Sequence, residues 1–210
     1  MGRGHALLTW SPDIDLAGPV EQVAPSLLGA RLVGGDVVLR LTEVEAYAGE
    51  ADPGSHAFRG RTPRTAIMFG RAGLAYVYFS YGMHWCLNVV TGPEGAASAV
   101  LLRAGEVLEG LEVARERRPG VRDRDLARGP ARLTRAVGVT GELGGTDLLD
   151  PSAPLRLLPP AAPPDPGLVR TGPRVGVAGL GAPTPWRFWL TGEPTVSTSR
   201  PAAARERATG

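Results

Sequence analysis

Strand-like runs dominate both halves of this chain, with shorter helical stretches between them. Arg31–Val33 and Asp36–Tyr47 flank Gly34-Gly35 and predict a hairpin with a long second strand. Ala75–Ser80 and Met83–Val90 predict another hairpin around Tyr81-Gly82. Ala99–Arg103, Val175–Val177 and Trp186–Leu190 read as further strands. Pro19–Ala30 reads as a short helix interrupted by Pro25, and Glu106–Arg118 as a helix ending before Pro119-Gly120. Ala131–Val137 reads as a helix with Pro130 at its first turn. Ala48–Thr65 and the proline-rich stretch from Leu149 to Gly167 read as loops, the latter as a flexible insertion at 158–167. The pattern predicts the α+β class. It divides the chain into an amino-terminal segment (1–18), one domain (19–199) and a disordered tail (200–210).

Alternation also sorts side chains by face. Along the long strand, Leu39, Leu41, Glu43, Glu45 and Tyr47 fall on one face, and Val38, Arg40, Thr42, Val44 and Ala46 on the other. Two carboxylates among leucines and an aromatic ring are costly to desolvate, and their pKa values tend to rise. That setting suits a general base. The alternative is a structural ion pair with an arginine such as Arg103. In the second hairpin, Tyr76, Tyr78 and Ser80 share one face, and Val77, Phe79 and Tyr81 the other. Tyr81 and Met83 fall at an exposed tip beside Gly82. Such a tip fits a wedge between DNA base steps. A tyrosine face equally fits stacking on single-stranded bases, and an aromatic strand pair equally fits a core.

Composition sharpens this picture. All 23 basic residues are arginine, since the chain of 210 residues has no lysine. All four tyrosines lie within residues 47–81, and His56, His84, the sole cysteine Cys86 and the sole asparagine Asn88 lie in or just beyond that window. A drift toward Gly, Ala, Pro and Arg has spared this stretch, which marks it as the candidate site. One cysteine excludes an internal disulfide, and three scattered histidines give no metal-ligand spacing, so neither metal nor cofactor is expected. No apolar run reaches membrane-spanning length, and the amino terminus does not read as a secretory signal. A cytoplasmic protein is expected. Net charge is only +2, but eight arginines lie between Arg115 and Arg135. Arg128, Arg132 and Arg135 are candidates for phosphate contact; a solvated helix face is the alternative.

The ordered motifs Thr42-Glu-Val-Glu-Ala-Tyr-Ala-Gly49, Asp52–His56, Arg61-Thr-Pro-Arg64, Met68-Phe69, Tyr76-Val-Tyr78, Tyr81-Gly-Met-His84, Cys86-Leu-Asn88 and Leu101-Leu-Arg103 carry a resemblance. It continues through Glu109-Gly-Leu111, Gly129-Pro130, Arg174-Val-Gly-Val177 and Pro185-Trp-Arg-Phe188. The chain resembles the alkyladenine (3-methyladenine) DNA glycosylases of the mammalian type over roughly residues 20–198. The resemblance implies a single mixed domain with a curved antiparallel sheet and a protruding hairpin. It implies hydrolysis of the N-glycosidic bond of damaged purines flipped out of duplex DNA. Glu45 matches the family's general base, and Arg103 the arginine that helps hold the attacking water. Val175 lies where the family uses a main-chain carbonyl for that water. Tyr47, His56 and Tyr78 match the aromatic walls of the base pocket, and Tyr81 the residue that fills the gap in the duplex. Asn88 matches the asparagine that excludes normal guanine. Met83 and His84 fall at the minor-groove contact, where some relatives have tyrosine in place of His84. The implied partner is duplex DNA carrying damaged purines, bound by a monomer, resident in the nucleoid if the source is bacterial. With no lysine for a Schiff base, a monofunctional enzyme is expected. A non-catalytic nucleic-acid-binding domain, and a carbohydrate glycosidase using Glu43 and Glu45, are the competing readings.

Overall fold

The computed structural model describes residues 14–80 and 82–198. The amino-terminal residues 1–13, Tyr81 at the hairpin tip and the tail from 199 lie outside the described residues. Eight strands form one antiparallel sheet: β1 (Arg31–Gly34), β2 (Val37–Tyr47), β3 (Ala75–Ser80), β4 (His84–Val90), β5 (Ala99–Glu109), β6 (Leu155–Leu158), β7 (Val169–Gly172) and β8 (Arg187–Leu190). Three helices accompany it, α1 (Val20–Ser26), α2 (Leu111–Arg117) and α3 (Pro130–Val137). The expected α+β class holds. No described helix is long and apolar enough to cross a membrane.

The long strand β2 organises the sheet. One edge pairs along its length with β5, from Val38↔Glu109 to Tyr47↔Ala99. The other edge changes partner midway: Val37–Arg40 pair with β1, and Glu43–Glu45 with β8. The sheet therefore forks, with β1 leading to β6 and β8 to β7. The fork coincides with an irregularity in the β2–β5 ladder, which steps from Leu41↔Gly105 to Glu43↔Ala104 and skips Thr42. The ladder then skips Arg103 of β5 between Glu43↔Ala104 and Val44↔Leu102, so one residue of each strand falls out of the pairing. An unpaired residue bends a strand and shifts the phase of its alternation.

This phase shift corrects the face assignment made from strict alternation. Leu39 and Leu41 enter the same apolar core as Val44 and Ala46. Glu43 and Glu45 face the opposite side, where Arg103 bonds both. Thr42 is buried and bonds the Thr195 hydroxyl at 2.9 Å. The bulge separates leucines from carboxylates that a regular strand would place together.

Other boundaries differ for identifiable reasons. The helix expected from Glu106 begins at Leu111, because Glu106–Glu109 continue β5 against Val38–Arg40. Gly110, at φ 72°, then turns the chain into α2. The expected loop 149–167 contains β6, whose Leu155–Leu158 pair with Arg31–Gly34 before Pro159 ends the ladder. β7 is a second strand that local patterning missed. Val175–Val177, expected as a strand, is a turn, with Gly176 at φ 77°. α1 ends at Ser26, four residues before Ala30, since Pro25 lies in its last turn.

The predicted hairpin is present, and it protrudes. β3 and β4 pair from Ala75↔Val89 to Ser80↔His84, but β4 pairs with β5 only over Asn88–Val90. Its distal half leaves the sheet and rests on α3, where the Thr134 hydroxyl donates to the Trp85 carbonyl at 2.8 Å. Pro130 opens α3 and Gly138, in the left-handed region, closes it.

At Gly49, φ is +57° and a Cβ would collide with the Ala97 carbonyl. Gly49→Ala should therefore lower stability by more than about 1 kcal/mol, a fall in Tm of at least about 2 °C for a chain of this size. Thermal melts beside a surface Gly→Ala control at Gly167, where φ is negative, check this.

Candidate active site

The face of the sheet opposite the main core carries a cavity of about 690 Å³, within the range that holds small ligands. The hairpin supplies Tyr76, Tyr78, Cys86 and Asn88. The end of β2 supplies Tyr47, β5 supplies Arg103, and the two flanking loops supply His56, Arg64 and Val175. The expected base-pocket residues Tyr47, His56, Tyr78 and Asn88 thus converge from three segments, and Arg103 and Val175 join them.

Glu45 does not line the cavity. It is fully buried directly behind the wall, held by three donors. The Tyr47 hydroxyl donates to Oε2 at 2.9 Å, Arg103 Nη1 to the same oxygen at 3.2 Å, and the Val175 amide to Oε1 at 2.7 Å. The Val175 main-chain N–H is thus engaged with Glu45. Burial pushes the Glu45 carboxyl above its ordinary value, and Arg103, the Val175 amide and Tyr47 only partly offset that.

Glu43, also fully buried, behaves oppositely. It accepts from Arg103 Nε at 2.8 Å, Arg187 Nε at 2.6 Å, the Ser197 amide at 2.6 Å and the Ser197 hydroxyl at 2.9 Å. Burial raises its pKa, but Arg103 and Arg187 outweigh burial and leave it below the ordinary value. Glu43 is the structural ion pair, its lone pairs taken up by four donors. Two neighbouring carboxylates driven apart in this way mark a division of roles.

The aromatic walls are preset. His56 stands edge-on to Tyr78 with centroids 4.6 Å apart, and its Nδ1 lies 3.1 Å from the Tyr76 hydroxyl. Burial first, then the nearby charge of Arg64, lower the His56 pKa, which favours the neutral ring. Burial first, then the Glu45 charge, hold Tyr47 well above its ordinary value, so it remains a donor. Asn88 Nδ2 donates to the Tyr76 carbonyl at 3.2 Å. That bond fixes the amide plane at the cavity wall.

A clamp not foreseen as functional backs this wall. Arg174, fully buried in its side chain, pairs with both carboxylate oxygens of Asp52 and donates to the Ala46 carbonyl at 2.9 Å. Its guanidinium lies 4.7 Å from the Tyr47 ring centroid. Arg174 and Asp52 fall inside motifs that carried the resemblance, but nothing local distinguished them from surface ions. Arg187 was hidden in the same way.

At the hairpin end Met83 is 66% exposed and His84 is exposed; Tyr81 lies outside the described residues. Of the three candidate phosphate arginines, Arg132 and Arg135 are exposed on α3. Arg135 Nε donates to the Arg117 carbonyl at 2.9 Å. Arg128 is only half-exposed and braces Asp125 and the Val196 carbonyl, at 3.2 and 2.8 Å.

The cavity wall thus joins a buried carboxylate, its paired arginine and the Asn88 amide to a set of aromatic rings. The chain belongs to the methylpurine-DNA glycosylase family, whose sequence profile matches residues 15–194. Membership makes it a DNA repair glycosylase acting on methylated purines. A Streptomyces avermitilis protein is 56% identical over 199 residues, covering 92% of this chain and 93% of the relative. A Frankia casuarinae protein is 56% identical over 191 residues, covering 87% and 90%. One from Cutibacterium acnes is 48% identical over 192 residues, covering 89% and 99%. All three are provisionally named 3-methyladenine DNA glycosylases.

The two glutamates should separate in stability measurements. The lowered pKa of Glu43 means its contribution is present above the ordinary carboxylate value of 4.5 and is lost as pH falls through the folded value. Glu43→Gln should cost about 3 kcal/mol or more at neutral pH by stranding buried guanidinium charge, and should flatten the acid limb of stability. The raised pKa of Glu45 has the opposite sign: its ionised form weakens the fold as pH rises above 4.5. Glu45→Gln should therefore cost less than Glu43→Gln. Urea titrations from acid to neutral pH check both signs.

Proposed function

We propose that Glu45 is the general base of a monofunctional glycosylase that flips a methylated purine into the aromatic cage and hydrolyses its glycosidic bond. The observation that carries this reading is the position of the Glu45 carboxylate, buried behind Tyr47, Arg103 and Val175 at the cavity wall and bonded to all three, where burial pushes its pKa up. A base inside a duplex shields its C1′ atom, so extrusion must precede attack. Tyr47 on one side and the His56–Tyr78 pair on the other take the extruded ring. Asn88 meets the purine edge and disfavours the exocyclic amine of normal guanine. Tyr81 fills the vacated stack, with Met83 and His84 in the minor groove.

Water reaches Glu45 when the Tyr47 hydroxyl or the Val175 amide gives up its bond to the carboxylate. The deprotonated water adds to C1′ as the C1′–N bond breaks. The bond's electron pair leaves with the base, and the water proton resides on Glu45. A cationic alkylated purine leaves as a neutral molecule and needs no acid. Arg103 orients the Glu45 carboxylate and the water. Arg132 and Arg135 meet backbone phosphates, with Arg128 joining them on release from Asp125. The enzyme acts as a cytoplasmic monomer on duplex DNA.

Glu45→Gln should retain lesion binding while base release falls by about 100-fold or more, the scale of a lost general base. The wild-type single-turnover rate should rise with pH along a limb centred above 4.5. High-performance liquid chromatography of free base from methylated duplex checks both; release by Glu45→Gln near the wild-type rate rejects the assignment. Borohydride added during turnover should trap no protein–DNA adduct, since the chain contains no lysine. An adduct, or strand breaks before alkali or heat, rejects the monofunctional mechanism.

A further inference from the structure

We propose that Arg64 is a specificity-determining residue that weakens the cage's preference for positively charged bases relative to neutral ones of similar shape. The inference rests on the glycosylase reading for the identity of the occupant, but not on which residue performs the hydrolysis.

Two arginines line the cavity, Arg64 and Arg103. The charge of Arg103 is offset by Glu43 at 2.8 Å and Glu45 at 3.2 Å. Arg174, behind Tyr47, is offset by Asp52. Arg64 forms no ion pair among the described residues. It is the one cavity arginine without a carboxylate partner there, although its side chain is exposed to water.

Its placement is aimed. The guanidinium carbon lies 5.4 Å from the centroid of Tyr78, the ring against which His56 stands edge-on. A tight turn fixes the backbone that carries it. The Thr62 amide donates to the Thr65 hydroxyl at 2.9 Å, the Thr65 amide to the Thr62 carbonyl at 3.1 Å, and Thr65 is buried. The Tyr78 face that would attract a cationic purine therefore already has a cation over it. The effect reaches the neighbouring ring as well, since the Arg64 charge helps lower the His56 pKa. A second positive charge entering the cage loses part of the aromatic attraction and meets repulsion, whereas a neutral base meets neither.

The experiment uses full-length protein in the Glu45→Gln background, so that binding is read without excision. Affinities are measured for three otherwise identical duplexes, carrying 7-methylguanine (cationic), hypoxanthine (neutral) or no lesion. Arg64→Met should raise the ratio of cationic to neutral affinity by about two- to five-fold, the scale of one exposed cation–π contact. Arg64→Lys, which keeps the charge, should leave the ratio near the parent value. Three outcomes overturn the proposal: an unchanged ratio in Arg64→Met; an equal loss on all three duplexes with a smaller salt slope, which makes Arg64 a phosphate contact; or no preference for either lesion over undamaged DNA in the parent. Failure of the glycosylase reading is seen separately, as absent base release by the Glu45 enzyme.

Discussion

The site depends on Arg103 bridging two buried glutamates of one strand. A guanidinium offers several donors in a rigid plane, and here two of its nitrogens reach Glu43 and Glu45 from the facing strand β5. The carboxylates share one counter-charge but not one environment. Glu43 receives a second arginine and the Ser197 amide and hydroxyl, enough to outweigh burial. Glu45 receives one amide and one phenol beyond Arg103, and burial prevails. One arginine thus anchors a structural carboxylate and leaves its neighbour under-compensated.

Backbone geometry makes this pairing compatible with a core. A regular β2 would direct Leu39 and Leu41 to the carboxylate side. The irregularity at Thr42 turns those leucines into the core while Glu43 and Glu45 keep facing Arg103. It also lets β2 change partner from β1 to β8. β8 brings Arg187 to Glu43, and the turn before it brings Val175 to Glu45. The fork in the sheet is therefore the means by which residues 130 and 144 positions away reach the carboxylates of β2.

These relations explain what could be read from the sequence. Both hairpins were legible because alternation and Gly-containing turns are local signals, and the tyrosine cluster stood out against a drifting composition. The ordered motifs carried the family, since many short matches in sequence order are far more specific than any one. The bulge was not legible: one extra residue leaves no compositional trace, and strict alternation misassigned two leucines. β6 and β7 were hidden because four-residue strands amid prolines are defined by their partners, β1 and β8, and not by their own pattern. The Arg174–Asp52 clamp joins residues 122 positions apart, which no local reading connects.

The absence of lysine shapes the surface as well as the chemistry. A basic run read from sequence looks like an anion-binding patch, yet most of its charge is spent within the protein. Arg115 pairs with Glu112 and Asp123, and Arg122 and Arg128 with Asp125. Arg117 and Arg118 donate to main-chain carbonyls. The planar guanidinium forks these contacts in ways a lysine would not, so an all-arginine patch knits α2, the following loop and α3 together. What is left outward is narrow: Arg124, whose nearest carboxylate, Asp125, is 3.9 Å away, Arg132, and the nitrogens of Arg135 not turned to Arg117. Arg132 and Arg135 stand on α3, the helix whose first residue, Pro130, lines the cavity and whose Thr134 holds the hairpin. Exposed charge, hairpin and cavity are thus fixed to one another through a single eight-residue helix. Under the proposed function, a phosphate engaged by Arg132 or Arg135 would therefore set the position of the hairpin and the aromatic cavity along the duplex at the same time.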